Sequence, residues 1–190
     1  ACPSRIPALI AATNFSIGGA SSFFSLTNFR QAMASARLAP VIAVVHGHAL
    51  GGGAGLVAVA DVAIAHERTV FAFSEVKLGI TPAVISPYVV RKIGESAARR
   101  YFVTGERFDA ATAQRIGLVH EVTREQETVL AAIVAELRTA GPRAARHAKR
   151  LVLDRPDGPE TARRIAERRT SAEGHEGLTA FVDGRAPGRP

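Results

Sequence analysis

Apolar residues run almost unbroken through PVIAVVHG (40–47), and their β-branched content, with a proline at the start, predicts a buried strand. GGGAGLVAVA (51–60) is equally apolar but made of small residues, which predicts a buried helix opening at the glycines. DVAIAHE (61–67) and TVFAFSE (69–75) predict two more short strands. Two prolines interrupt ITPAVISPYVV, so no single regular helix can run through it. Beyond it the pattern is helical. SAARRYFVTG (96–105) ends at a glycine, and FDAATAQRIG (108–117) has Asp109 as its N-cap and Gly117 as its stop. REQETVLAAIVAELRTAG (124–141) predicts a long amphipathic helix, and PRAARHAKRLVLD starts with a proline suited to a first helical turn. Two further helices are predicted over 159–171 and 173–184. The order is short β/α units first, then a helical tail, with no repeat and no low-complexity linker.

The chain has 190 residues, 47% of them hydrophobic and 22% charged, enough for one domain with a sizeable core. Its single cysteine, Cys2, excludes an internal disulfide framework and fits a reducing compartment. No apolar run approaches the ~20 residues that span a bilayer. IPALIAA is too short to span, and only Arg5 precedes it as positive charge, so a cytoplasmic protein is expected.

A net charge of +7 raises the question of a nucleic-acid partner. The 19 basic residues after position 90 share that region with 14 acids, which makes solvated helix faces rather than a basic stripe. No zinc spacing, RNA-binding aromatic motif or helix-turn-helix signature is present. Neither nucleic acid nor membrane is expected as a partner. The mild positive field suits a small polyanionic ligand equally well.

HALGGGAGLVAVAD (48–61) is the first candidate for chemistry. A strand that runs into glycines and then a helix leaves several N–H groups unpaired at a positive helix end. Such a place binds anionic oxygen, whether a phosphate or a developing oxyanion. No Gly-Lys-Ser/Thr follows, so it is not a Walker A loop, and G-G-G-x-G is not the dinucleotide fingerprint. Tight helix packing is the alternative use of the same glycines.

PVIAVVHGHALGGGAGL, FAFSEVKLGITP, TGERFDAATAQRIGLVHEV and the closing RRTSAEGHEGLTAFVDGRAP together resemble the enoyl-CoA hydratase/isomerase (crotonase) family. The likeness runs from about residue 40 to the end. Upstream, NFSIGGA (14–20) is similar to the family's Phe-Ser/Cys-Ala-Gly-Gly/Ala-Asp loop, with Ile17 in place of alanine and Ala20 in place of aspartate. The segment SEVKLGITPAVISPYVVRKIGESAARRYFVTGERFD is most similar to the branch of methylglutaconyl-CoA and related branched-chain enoyl-CoA hydratases.

The resemblance implies an α/β fold, a crotonase-like spiral of ββα units. Residues 1–120 would form its core, and 121–190 a C-terminal helical region for trimerisation and cover of the CoA site. It implies homotrimers or hexamers. It also implies a longer front than this sequence shows, where ALIAAT (8–13) alone stands as a possible strand before NFSIGGA. The substrate implied is an acyl-CoA thioester, so coenzyme A enters with the substrate and no separate cofactor is expected. The backbone N–H groups of Gly52 and Ile17 would hold the thioester oxygen, with Gly51, Gly53 and Gly55 letting it approach. Pro82, Ser86 and Tyr88 fall where the acyl group would be contacted. Phe181 and Arg185 fall where the family meets the CoA nucleotide, although packing is the simpler role for Phe181.

Family hydratases carry two glutamates that divide the holding of water and the delivery of a proton to the α-carbon. The second position matches Glu75; the first is Gly55, which has no side chain. Pairing with Lys77 is the structural alternative for Glu75. A single glutamate fits hydration of a 2-enoyl-CoA, and equally a double-bond isomerase that moves one proton between C2 and C4. A crotonase-fold subunit that binds acyl-CoA without turnover is the non-enzymatic alternative. Asp61 is expected to cap a turn. His46 and His48 flank Gly47 with strand alternation, which would place both beside the site. No third ligand stands near them, and no metal site is expected.

Overall fold

The computed structural model describes residues 9–15 and 39–188. Its sheet is built around β2 (Val41–Leu50), whose first half pairs in parallel with β1 (Leu9–Phe15) and with β3 (Val62–His66). Val41, Ile42, Ala43 and Val45 are buried, as a strand with parallel neighbours on both edges requires. Gly47 has φ 78°, and beyond it His48–Leu50 pairs with β4 (Val70–Ala72). A left-handed residue inside the strand thus lets β2 leave one set of partners and join another. β6 (Glu121–Thr123) adds in parallel to β3, and β5 (Phe108–Asp109) adds antiparallel to β4.

Side chains close the ends of this sheet. Asp61 Oδ2 accepts from Val41 N at 2.7 Å while Asp61 N donates to Val41 O at 3.0 Å, so the expected turn cap ties the starts of β2 and β3 together. At the other end Gln126 Nε2 donates to the carbonyls of Val45 (2.9 Å) and Ile64 (3.2 Å), and Thr69 Oγ1 donates to Val45 at 3.1 Å.

α1 (Gly52–Val59) follows β2 directly and buries Ala54, Gly55, Val57 and Ala58, in keeping with its uniformly apolar sequence. α2 (Ser86–Thr104) begins after the proline-containing turn and is broken at Gly94, where φ is 76° and ψ 164°. It starts ten residues ahead of the helix expected at 96, because Pro87 falls in the first turn, where a missing N–H costs nothing. α3 (Ala110–Arg115) has the expected ends: Asp109 accepts from Thr112 N at 2.8 Å, and Gly117 follows with φ 81°. α4 (Gln126–Thr139) comes after β6.

The chain divides into two compact units between Ala131 and Ala132. The unit before this point contains the sheet, α1 to α3 and an aromatic cluster in which Phe108 meets Tyr101 at 4.3 Å and Phe71 at 5.8 Å between ring centres. The unit after it contains the end of α4 and α5 (Pro142–Asp154), α6 (Gly158–Thr170) and α7 (Ala172–Val182). Asp157 and Ser171 cap α6 and α7, accepting from Glu160 N at 3.0 Å and Gly174 N at 3.1 Å. Among the described residues no helix is long and apolar enough to cross a membrane.

Candidate active site

Gly51 makes the corner between β2 and α1. Its φ of 52° and ψ of −119° are open to glycine and strained for other residues. Gly51 N donates to Ala72 O at 2.8 Å, which joins the corner to the end of β4. The first helical bond of α1 runs from Gly55 N to Gly51 O at 3.0 Å. The N–H groups of Gly52, Gly53 and Ala54 therefore lie ahead of the helical ladder, and no side chain among the described residues caps them. Among the described residues a β-carbon on Gly53 would meet nothing within 4 Å, so there is open space beside that position.

Glu75 reaches this corner from the other direction. After β4 the chain tightens into a 3-10 turn, Ser74–Leu78, closed by Gly79 with φ 73°. The glutamate expected at a strand end thus stands in the turn that follows the strand. Phe73 anchors the start of the turn, fully buried with its ring 5.1 Å from Phe102. Gly105, at the end of α2, packs against the other side: a β-carbon there would lie 3.0 Å from Val76 Cγ2 and 3.3 Å from Lys77 carbons. Held in this way, the Glu75 carboxylate lies on Gly51, where a β-carbon would sit 3.2 Å from Oε1.

Glu75 Oε2 is buried without a hydrogen-bond partner among the described residues. Burial pushes the carboxyl above its ordinary value, with a smaller opposing effect from a hydrogen bond to its own backbone. The pairing with Lys77 is not formed. The carboxylate is thus more basic than a solvated glutamate and has an unused oxygen, two properties suited to carrying a proton.

The other expected site residues are placed as follows. Gly55 is buried within α1, one helical bond from Gly51. Pro82 is buried, and Ser86 Oγ donates to Ala83 O at 2.9 Å, so that hydroxyl is already used by the turn. Tyr88 is on the first turn of α2 and 36% exposed. Ile17 lies outside the described residues. β1 ends with Phe15 paired to Gly47, so it delivers the chain to the same end of the sheet as the glycine corner. Phe181 is on α7 in the other unit and is 84% exposed, not packed as its sequence position suggested. Arg185 pairs with Glu176 at 2.7 Å.

Gly47, with φ 78°, interrupts the extended backbone on which the shared side of His46 and His48 depended; both histidines are exposed, and the His46 ring meets His66 edge-on at 4.7 Å. Among the described residues no three His, Cys, Asp or Glu side chains gather to hold a metal. Lys92 and His120, both pushed down by burial first, sit where β3 begins, through contacts to Ala60 O and Ala63 N. Sequence reading passed over the exposed apolar residues Leu78, Ile80 and Val84 in the segment that leaves Glu75. Their signal was three large hydrophobics in a stretch too broken by glycine and proline to be a core helix.

Residues 21–188 match the family model described as Enoyl-CoA hydratase/isomerase. A solved enoyl-CoA hydratase from Shewanella pealeana superposes with a TM-score of 0.80 at 37% identity, covering 90% of this chain and 69% of that one. AtuE of Pseudomonas aeruginosa gives a TM-score of 0.80 at 40% identity, covering 89% and 70%. In sequence, the enoyl-CoA hydratase AFT6-1 of Alternaria alternata is 33% identical over 153 residues, 76% of this chain and 51% of that protein. The chain spans between 36% and 62% of the length of several curated relatives that it matches. The spiral α/β fold expected from the sequence is the fold these structures share.

Proposed function

The chain belongs to the enoyl-CoA hydratase/isomerase family, and on that premise we propose that it hydrates a 2-enoyl-CoA thioester, with Glu75 as the proton carrier. The observation that carries this reading is the half-buried Glu75 carboxylate lying against Gly51, its Oε2 buried and without a hydrogen-bond partner among the described residues, beside a helix end that no side chain of the described residues caps.

In the proposed mechanism the thioester oxygen accepts from Gly52 N–H, with Ile17 N–H as the second donor. The open space beside Gly53 admits the thioester. Water adds its oxygen to C3 and Glu75 takes the proton that water loses. The electron pair of the C2–C3 double bond moves onto the thioester oxygen as an enolate. Negative charge there strengthens both backbone hydrogen bonds, and losing one such donor costs about 2.7–4 kcal/mol in the transition state. Glu75 then returns the proton to C2, the enolate collapses, and the product is a 3-hydroxyacyl-CoA.

Gly55 favours a second reading. With no side chain at that position, Glu75 has no second carboxylate on α1 to hold the water. The same geometry serves a double-bond isomerase, in which Glu75 removes a proton from C2 of a 3-enoyl-CoA and delivers it to C4. Incubation with crotonyl-CoA, 3-methylglutaconyl-CoA and a 3-enoyl-CoA, with product identification for each, separates the two. Hydration of either 2-enoyl substrate supports the first reading, and conversion of the 3-enoyl-CoA alone supports the second. Tight thioester binding without turnover of any of the three would reject both and leave an acyl-CoA-binding subunit.

A further inference from the structure

The end of α1 away from the glycine corner carries a second polar cluster, drawn from three elements. Lys92, on α2, donates from Nζ to Ala60 O at 3.1 Å, and Ala60 is the residue that closes α1. The same Nζ lies 3.5 Å from His120 Nε2. His120 stands just ahead of β6, and its Nδ1 accepts from Ala63 N on β3 at 2.9 Å. His120 N donates in turn to Ala63 O at 2.8 Å, so the histidine is held to β3 by backbone and ring together. The length of α1, about 12 Å at 1.5 Å per residue, separates this cluster from the corner at Gly51.

The ring contact decides where the protons sit. A ring nitrogen that accepts from a backbone N–H has no proton of its own, so the neutral imidazole carries its proton on Nε2. That N–H faces Lys92 Nζ. An ammonium has three donors and no acceptor, and would set donor against donor there; an uncharged amine has a lone pair that accepts. Ala60 O accepts from either form, so that contact does not choose between them. Burial acts in the same sense. Lys92 is partly buried and is pushed below its ordinary value by desolvation, against the charge of Asp61, whose Oδ2 is held by Val41 N at 2.7 Å. His120 is pushed down by burial first and then by Lys92, against the charges of Glu121 and Asp61.

A desolvated lysine that gives up its proton becomes a nucleophile. The cluster is not sealed: His120 is exposed and Lys92 keeps part of its surface, so a reagent can reach Nζ from solvent. From the Ala63–His120–Lys92 arrangement we infer that Lys92 is an acyl acceptor, modified by acyl thioesters. Nζ attacks the thioester carbonyl, a C–N bond forms, the C–S bond breaks, and the departing thiolate takes the proton that nitrogen loses. The product is an amide and a free thiol, with no oxidant or reductant involved. The amide keeps one N–H, which can still donate to Ala60 O, so α1 retains its closing contact after modification. The inference does not depend on the chemistry assigned to Glu75.

The chain has lysines at 77, 92 and 149, which gives the test its internal standard. The full chain is incubated with acetyl-CoA from pH 6 to 10, and the rate of acetylation at each lysine is read by peptide mass spectrometry. Acetyl-CoA has no carbon–carbon double bond to hydrate or move, so the readout is separate from any turnover by Glu75. By exposure alone Lys77 should react before Lys92, since Lys77 is exposed and Lys92 partly buried. The expected result is the reverse at pH 7, with the midpoint of the Lys92 profile below that of Lys77. Each unit between the midpoints gives roughly tenfold more free amine at neutral pH. His120→Ala removes the facing N–H, and should move the Lys92 midpoint up toward that of Lys77 and slow its acetylation at pH 7. Should that variant fail to fold, the comparison of Lys92 with Lys77 in the wild type still decides. Lys92 reacting no faster than Lys77 at pH 7, equal midpoints, or a folded His120→Ala with the wild-type Lys92 profile would overturn the inference.

Discussion

The carboxylate of Glu75 lies on the α-carbon of Gly51, so close that a β-carbon at that glycine would sit 3.2 Å from Oε1. Two pieces of chain that meet only in the fold therefore share one point: the corner that opens α1 and the turn that ends β4. The uncapped helix end and the half-buried acid arrive together because of this contact.

Gly51→Ala tests the contact. Alanine at φ 52° costs about 1–2 kcal/mol, and its methyl would push the carboxylate away from the helix end. The expected result is a modest loss in urea midpoint and a larger loss in kcat. Unchanged kcat in the folded variant would show that the carboxylate's position does not matter.

Gly53→Ala gives the opposite pattern. Its β-carbon meets nothing within 4 Å, and glycine to alanine inside a helix is worth up to about 0.5–1 kcal/mol of added stability. The methyl would occupy the space proposed for the thioester. Thermal melting should hold or improve while KM rises; a KM equal to wild type would place the thioester elsewhere.

Burial raises Glu75 above its ordinary value of 4.5 in the folded state, so folding favours the protonated form. That stabilisation is complete below the unfolded value and is lost as pH rises through the folded one. Glu75→Gln has no such group. Its stability relative to wild type should increase from about pH 4.5 upward and level off above the folded value. Urea midpoints of both proteins across pH 4 to 8 measure this, and parallel curves would contradict it.

Gln126 donates to the carbonyls of Val45 and Ile64 at 2.9 and 3.2 Å, and Thr69 Oγ1 donates to the same Val45 carbonyl at 3.1 Å. Gln126→Ala leaves the Ile64 acceptor without that donor, at a cost of about 1–3 kcal/mol. The loss should appear in chemical denaturation, with thioester binding retained.

Much of this was legible in the sequence where local chemistry decides. The glycine corner running into a small-residue helix, the Asp109 cap and the Gly117 stop depend on neighbours within a few positions. Resemblance added the weight given to Glu75 and the spiral fold. The remainder depends on contacts distant in sequence. β5 and β6 are two and three residues long and exist because β4 and β3 offer free edges. The bridge made by Gln126 joins positions 81 and 62 residues apart, so periodicity gave no sign of it. His46 and His48 show the reverse: the alternation assumed an extended strand, and the left-handed Gly47 between them interrupts it.

The central claim is that Glu75 carries the proton. Hydration of crotonyl-CoA, followed by loss of the conjugated thioester absorbance, tests it most directly in wild type and Glu75→Gln of equal fold. The account predicts a fall in kcat of about 10²–10⁴-fold with thioester affinity retained. Hydration at the wild-type rate in Glu75→Gln would contradict it.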